Sequence, residues 1–253
     1  MCTLAIAFYP QTKHPLIIGA NRDENPVRPS KPWDYRNGVF SPLDIRGDIE
    51  NGTWIGVNVR GMFCAVTNWD LAEAKGKTAL RSRGNVVYDT LLCLYVNEAL
   101  DFWGTLKAEH YRPFNVILGT KKSLFHLSCD SKEIRIKRLG AGFHWSTGDG
   151  FNTKTKRSEY LNKSLSLSAC QDLSQPIYPF DIQWILSKHN DGIGSEDSVC
   201  VHDETHRWET RSSSLVFIDG NKWNVKYIDQ RPCSVDIKEW KEEMVEFDNE
   251  FVE

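Results

Sequence analysis

Short β-prone runs occur in adjacent pairs along this chain, and helical patterns separate one group of pairs from the next. Cys2–Tyr9 and Leu16–Ala20 flank a polar turn. Trp54–Val59 and Met62–Thr67 flank a second turn at Arg60-Gly61. Two apolar runs joined by a short turn are typical of a β-hairpin. Because hairpins pair antiparallel strands, the pattern favours a layered α+β fold over alternating βαβ units.

The rest of the chain continues this order of elements. Apolar residues at helical spacing predict helices over Ser82–Leu106, with Ser82 as N-cap, and over Arg157–Leu167 and Pro179–Lys188. Further strands are predicted at Phe114–Gly119, Leu124–Ser128, Ile134–Leu139, Ser198–His202, Arg211–Ile218 and Trp223–Tyr227. The acidic tail Ser234–Phe251 is interpreted as a closing helix. No repeat or Gly/Ser linker interrupts the chain, so we expect one domain over residues 1–253.

Composition narrows the range of partners and compartments. The net charge of −3 implies no basic face, so we expect no nucleic-acid partner. Residues 1–20 lack the features of a signal peptide, and no run is long and apolar enough for a transmembrane segment. The seven cysteines are odd in number and scattered, which in the absence of an export signal indicates free thiols. We therefore expect a cytoplasmic protein.

Cys2 directly follows Met1, and an initiator methionine is normally removed before a residue as small as cysteine. Removal would leave Cys2 with a free α-amine, whose pKa is about 7.7–8.0, beside a thiol with a pKa of about 8.5. The amine can then act as general base for the thiol of the same residue. A cysteine at this position also arises by chance, so the remaining residues decide between the two interpretations.

Residues 21–24 spell NRDE, and the chain resembles the NRDE family, also called the transport and Golgi organization protein 2 family. Matching blocks extend in the family's order from Cys2 to about Ile218. They are Arg46-Gly47-Asp48, Gly52–Asn58, Thr67-Asn68, Ser82-Arg83-Gly84, Phe114–Gly119 and Thr210–Ser213. The resemblance implies an N-terminal nucleophile hydrolase-like fold, a four-layer αββα sandwich of two antiparallel sheets. It also implies similarity to choloylglycine hydrolases and penicillin V acylases, which cleave small amphipathic amides.

The same resemblance implies five catalytic residues. Cys2 is the expected nucleophile, and Arg22 would favour its thiolate. Asn68 would donate to an oxyanion through its amide. Asp23 would hold the α-ammonium or pair with Arg22, and Arg211 would bind a carboxylate or support Asp23. From the residues alone, ion pairing, a turn and an edge position explain Arg22, Asn68 and Arg211 equally simply.

Two positions depart from the hydrolase pattern. The hydrolase Asp follows its Arg by three residues, a spacing held here by Asn25, whereas Asp23 is adjacent to Arg22. A second Asn is expected near Ser146-Thr147. Thr147 occupies that position, and the nearest Asn is Asn152.

Two functions remain open on this evidence. The first is a cysteine amidohydrolase that acts on a small amide with an apolar tail and needs no cofactor. The second is a non-catalytic carrier of a hydrophobic ligand such as haem or a lipid or acyl group. Cys2 and its four polar partners favour the first, and Thr147 favours the second. Trp54, Trp69 and Trp145 are candidates for an apolar pocket, although core packing explains them as well.

Two further clusters receive simpler interpretations. Cys200, His202 and His206 are residue types that bind zinc, but no fourth ligand is evident beside them. We therefore predict no metal site. The cluster Lys154–Arg157 is interpreted as a solvated, charged face.

Overall fold

The structure is a computed structural model. It describes residues 2–46, 49–50, 52–74, 79–168, 177–189, 195, 197–203, 205 and 208–248, with only the backbone given at 46, 49–50 and 166–168. The chain divides into two compact units. The first comprises residues 1–27, 141–220 and 224–244, and the second comprises 28–140, 221–223 and 245–253. That these units form one domain stays a prediction.

The described chain contains more residues in β-strands than in helices. In chain order these are β1 (Cys2–Phe8), β2 (Leu16–Glu24), β3 (Ser30–Arg36), β4 (Val39–Arg46), β5 (Ile49–Glu50), β6 (Ile55–Asn58), β7 (Phe63–Asn68), β8 (Phe114–Gly119), β9 (Leu124–Cys129), β10 (Ile134–Leu139), β11 (Gly142–Thr147), β12 (Gly150–Phe151), β13 (His202–Asp203), β14 (Trp208–Asp219), β15 (Lys222–Ile228) and β16 (Lys241–Glu246). The α-helices are α1 (Arg83–Leu92), α2 (Val96–Gly104), α3 (Lys156–Ser168) and α4 (Pro179–Leu186).

The first sheet has the strand order β12-β11-β1-β2-β14-β15-β16, with β13 paired to β14. Helices α3 and α4 cover one of its faces. Small residues on β1 and β2 allow this close approach, and a Cβ built on Gly19 would lie only 2.4 Å from Cγ2 of Ile182 in α4. Alternate residues such as Ala5 and Ile17 pack against Leu161 of α3 in a buried core.

The second sheet has the order β10-β9-β8-β7-β6-β4-β3, with β5 paired to β4. Helix α1 packs on β6 and β7, and α2 packs against α1. Inside this layer the indole nitrogen of Trp103 donates a 2.7 Å hydrogen bond to Oγ1 of Thr90. That bond satisfies both buried polar groups and fixes α2 on α1.

Both predicted hairpins are confirmed. The first pairs β1 with β2, and the second pairs β6 with β7. Ser82 is the N-cap of α1, as predicted. The single helix predicted over Ser82–Leu106 is wrong. Cys93 turns to an extended backbone (φ −62°, ψ 148°), so α1 ends at Leu92 and α2 begins at Val96.

Two further predictions need correction. The segment Ser198–His202 is not a strand, and β13 holds only His202–Asp203. The tail contains strand β16 rather than a closing helix. This strand lies at the edge of the first sheet, where charged side chains are common because they discourage pairing with another molecule. Its charges therefore mask the strand signal in the sequence.

Among the described residues, two antiparallel sheets accompanied by four α-helices confirm the predicted α+β class. Within the described part of the chain, every helix is too short or too polar to cross a membrane.

Candidate functional site

Cys2 begins β1 and lies directly opposite Arg22 on β2. Directly opposed residues project to the same face of a sheet, so the thiol and the guanidinium are neighbours. Arg22 is buried, and Cys2 is half-buried. Burial raises the pKa of the Cys2 thiol, and Arg22 opposes that effect. The resting thiol is therefore protonated near neutral pH, so nucleophilic attack requires a base.

Asp23 projects to the opposite face, toward the helices. One of its carboxylate oxygens accepts a 2.7 Å hydrogen bond from Oγ1 of Thr210. The other pairs with Nη1 of Arg157 on α3 at 3.3 Å, and both side chains are almost completely buried. The same Nη1 donates to Oγ1 of Thr3 at 2.8 Å. Burial raises the pKa of Asp23, and the charge of Arg157 opposes that rise.

Asn21, the first residue of the NRDE string, holds this part of β2 against the helical layer. Its amide nitrogen donates to the carbonyl oxygens of Leu186 and Val199 at 2.9 and 2.8 Å. Its amide oxygen accepts a 2.5 Å hydrogen bond from the Ser213 hydroxyl. A buried amide with this many partners fixes the local backbone, because breaking any one leaves a buried group unsatisfied.

Arg211 occupies a β-bulge next to the row that contains Cys2 and Arg22. Thr210 pairs with Asp23 and Ser212 pairs with Arg22, which leaves Arg211 as the extra residue. Bulges redirect a side chain and are common beside functional sites. Nη1 of Arg211 donates to Oε1 of Glu209 at 3.4 Å, and Nε is buried with no hydrogen-bond partner among the described residues.

Hydroxyl groups accompany Cys2 on its face of the sheet. Ser212 lies opposite Arg22, and Ser214 and Ser146 lie in the next row, opposite Ala20 and Leu4. All three serines are buried. Strand alternation therefore places a polar patch of these serines around the end of β1 that carries the thiol.

The position of the second hydrolase Asn has no equivalent amide here, at either Thr147 or Asn152. Thr147 is buried, and its hydroxyl donates to Oδ2 of Asp149 at 3.3 Å. Asn152 adopts a positive φ of 52° directly after β12. Its Oδ1 accepts from the backbone of Trp145 at 2.9 Å, and its Nδ2 lies 3.1 Å from Nδ1 of His144.

Asn68 belongs to the second unit, where it ends β7. It lines a pocket of about 260 Å³ together with Trp69, Asp70, Leu71, Ala74, Arg83, Arg112 and Pro113. On β8 of the same unit, Nδ2 of Asn115 is buried without a hydrogen-bond partner among the described residues, while its Oδ1 lies 2.9 Å from Nε2 of His126.

The three candidate tryptophans have different surroundings. Trp69 lines the pocket beside Asn68. Trp54 packs against the core of the second unit, and Trp145 packs against that of the first. Core packing therefore accounts for two of the three.

Arg157 is a buried partner of Asp23, contrary to the expectation from the sequence. The solvated face expected for Lys154–Arg157 is wrong at this residue, because Arg157 is only 3% exposed and neutralises Asp23. The burial of Arg157 could have been predicted from helical spacing, because Arg157 lies four residues before the buried Leu161 and therefore on the same side of α3.

The family model described as transport and Golgi organisation 2 matches residues 1–232. The chain is 34% identical over 126 residues to the Transport and Golgi organization protein 2 homolog of Bos taurus, an alignment that covers 46% of this chain and 44% of the bovine protein. The chain thus aligns with less than half of that relative's length.

Two other matches extend over most of the chain. The Transport and Golgi organization 2 homolog of Mus musculus is 25% identical and covers 98% of this chain and 99% of its own. A solved structure of the Caenorhabditis elegans ortholog of N-acylethanolamine-hydrolyzing acid amidase has a TM-score of 0.54 at 13% identity. It covers 85% of this chain and 92% of its own, which shows a shared fold.

Proposed function

The chain belongs to the transport and Golgi organisation 2 family, and we propose that within this family it acts as a cysteine amidohydrolase with Cys2 as nucleophile. The observation that carries this proposal is the pairing of Cys2, at the start of β1, with the buried Arg22. A half-buried thiol beside a cation is suited to attack, since the cation stabilises the thiolate as it forms.

The proposed reaction begins after removal of Met1. The free α-amine of Cys2 takes the thiol proton while the sulfur attacks the amide carbonyl carbon. The resulting tetrahedral intermediate collapses, the C–N bond breaks, and the α-ammonium returns its proton to the leaving amine. Water then attacks the thioester, which releases a carboxylic acid and restores the thiol.

The remaining polar residues receive distinct proposed roles. Asn68 is the proposed oxyanion donor, a contribution typically worth about 3–4 kcal/mol of barrier. Asp23 anchors β2 through Thr210 and Arg157, which supports a positioning role. Arg211 presents a buried Nε without a hydrogen-bond partner among the described residues, and it is the proposed ligand for a substrate carboxylate.

The substrate class is proposed as a linear N-acyl amide with an apolar tail. The C. elegans protein with the shared fold is described as N-acylethanolamine-hydrolyzing, which makes N-acylethanolamines the first compounds to test. N-acyl amino acids form a second set, because their carboxylate would find a partner in Arg211.

A non-catalytic carrier of haem or of a lipid or acyl group is the second candidate. Thr147 favours it, since this residue stands where the related hydrolases have an Asn and its hydroxyl is bonded within its own turn. Under this alternative the ligand is cargo, and affinity depends on apolar contacts such as those of Trp69.

Kinetics of matched variants separate the two candidates. We expect amine release by the untagged chain to fall by orders of magnitude in Cys2→Ser and about a hundredfold or more in Asn68→Ala, with substrate affinity little changed. Cys93→Ser, a buried cysteine of the second unit, is the control and should keep full activity. Saturable haem binding in an absorbance titration, with no Cys2-dependent amine release across both substrate sets, would establish the carrier instead.

A further inference from the structure

Four metal-binding side chains come together in the first unit, separate from Cys2 and its partners. They are His189, just after α4, Cys200, two residues before β13, His202, the first residue of β13, and Cys233, in a short turn after β15. One ligand atom from each lies within 4.8 Å of all the others. Cys200 is buried, and the other three are half-buried.

The separations between the ligand atoms are close to those around a tetrahedral ion. Zn²⁺ binds thiolate sulfur at about 2.3 Å and imidazole nitrogen at about 2.0–2.1 Å, so ligand atoms around it lie roughly 3.3–3.8 Å apart. Sγ of Cys200 is 3.5 Å from Nε2 of His202, and that nitrogen is 3.0 Å from Sγ of Cys233. The ligand atoms that are farthest apart would need to approach each other by roughly 1 Å to complete a tetrahedron.

His189 supplies independent evidence for a ligand. Its Nε2 is buried and has no hydrogen-bond partner among the described residues. Its ring meets that of His202 edge-on, with centroids 4.7 Å apart at 75°. Buried polar atoms are nearly always satisfied, and an unsatisfied one indicates a missing water or ion. A metal ion at the centre of the cluster would give this nitrogen its partner.

We propose that His189, Cys200, His202 and Cys233 bind one Zn²⁺ ion in a closed, structural site. Two thiolates and two imidazoles are a ligand set that selects zinc among the common divalent ions. All four positions come from protein side chains, so no coordination position remains for a substrate, which distinguishes a structural site from a catalytic one. Binding replaces the two thiol protons, which pass to solvent, and involves no change of oxidation state.

Arg231 identifies what must change when the ion binds. Its Nη1 lies 3.2 Å from Nδ1 of His202, and since arginine only donates, Nδ1 accepts in this arrangement. Coordination through Nε2 moves the imidazole proton to Nδ1, which can then no longer accept. Arg231, whose side chain is 42% exposed, would turn fully toward Glu209, which its Nε already approaches at 3.4 Å.

The site would hold together the segment that supports Asn21. The backbone nitrogen of Cys200 donates to the carbonyl of Lys188 at 2.9 Å, which fixes the Cys200 segment beside His189. The carbonyl of the neighbouring Val199 accepts from the Asn21 amide. A zinc ion would therefore link the end of α4, the Cys200–His202 segment and the Cys233 turn. This proposal is independent of the hydrolase mechanism.

Two of these ligands, His189 and Cys233, are not near Cys200 in the sequence. His206, the third residue of the cluster weighed from the sequence, lies outside the described residues. His189 and Cys233 lie 11 residues before and 33 residues after Cys200, respectively, so only folding brings them to it. A four-ligand cluster can therefore form around Cys200 although no fourth ligand stands near it in the sequence.

The test measures metal stoichiometry in the full chain purified under reducing conditions from zinc-supplemented medium. We expect one zinc per chain by elemental analysis. Replacement by Co²⁺ should give the strong visible bands of a tetrahedral ion and a near-ultraviolet thiolate charge-transfer band. Chelation should lower the melting temperature, and added zinc should restore it.

Variants test the assignment to these residues. His189→Ala and Cys233→Ser should each lose the cobalt charge-transfer intensity or the stoichiometric zinc, whereas Cys93→Ser and His110→Ala should retain both. If the ligand variants fail to fold, the cobalt spectrum of the wild-type chain still decides between the outcomes. Background zinc in the wild-type chain, octahedral cobalt bands, full binding by the His189→Ala/Cys233→Ser double variant, or a Cys200–Cys233 disulfide in the reduced preparation would each overturn the proposal.

Discussion

Arg22 and Asp23 are adjacent in the NRDE string, yet they project to opposite faces of the first sheet. Arg22 shares its face with Cys2, whereas Asp23 is bonded to Arg157 and Thr210 on the helical side. Strand alternation requires this separation of neighbours. One residue can therefore act on the thiol while the next holds the strand that presents it.

The Cys2 thiol should react as a protonated thiol whose pKa is raised. Burial lifts the pKa and Arg22 limits the rise, so the thiolate fraction and the rate of alkylation by iodoacetamide should keep increasing with pH through pH 8. Arg22→Met removes the opposing charge, so it should slow alkylation several-fold at a given pH. Peptide mapping of the modified chain measures the rate at Cys2. Arg135→Met, at a largely exposed arginine, is the control.

A rate that reaches its plateau below pH 8 would contradict this prediction, because it would indicate a thiolate formed by a lowered pKa. An alkylation rate in Arg22→Met equal to that of the wild type would show that the charge of Arg22 does not influence the Cys2 thiol.

Asp23→Asn should destabilise the protein strongly. The substitution preserves shape and an acceptor for Thr210, but it leaves the buried Arg157 without its carboxylate. Removing one partner of a buried ion pair typically costs about 3–5 kcal/mol. Asp219→Asn breaks a pair with Lys13 in which both side chains are well exposed, so it should cost less than about 1 kcal/mol. Urea unfolding of both variants measures the difference, and equal losses would refute the anchoring role of Asp23.

At the scale of elements, the contact between β2 and α4 positions the strand that carries Arg22. Gly19 leaves room for Ile182 and Leu186, and Asn21 on the same face bonds to the last residue of α4. The helix therefore lies directly on the strand that carries Arg22 and Asp23. A larger side chain between β2 and α4 would therefore disturb both their packing and the position of Arg22 and Asp23.

Gly19→Ala introduces such a side chain. The added methyl would lie 2.4 Å from Cγ2 of Ile182, so α4 must shift, at a typical cost of about 1–3 kcal/mol in the free energy of unfolding. Gly104→Ala places its methyl in open space at the end of α2 and should be neutral or slightly stabilising. Chemical denaturation compares the two. Adding Ile182→Ala to Gly19→Ala should cost less than the sum of the single changes. Strict additivity would indicate that the contact is absent.

At the scale of the whole molecule, patterns within short windows predicted the fold well. Both hairpins and helices α3 and α4 follow from local turns and periodicity, whereas the same signals join α1 and α2 into one predicted helix. Edge strand β16 was not predicted as a strand because charged residues dominate its sequence. The Asp23–Arg157 pair was not predicted because its members are 134 residues apart in the sequence. The cluster around Cys200 was not predicted because its members also come together only through the fold. Local patterns specify elements, whereas side chains that meet through the fold must be read from the structure.

The central claim is that Cys2 becomes the first residue and forms an acyl-enzyme. The most direct measurement is the intact mass, with peptide mapping, of the untagged chain quenched in acid during turnover of an N-acylethanolamine. We predict a chain that lacks Met1 and carries one acyl group as a thioester on Cys2. Cys2→Ser should show far less thioester, while Cys93→Ser should match the wild type. A chain that retains Met1, or that releases amine without any adduct on Cys2, would contradict the account.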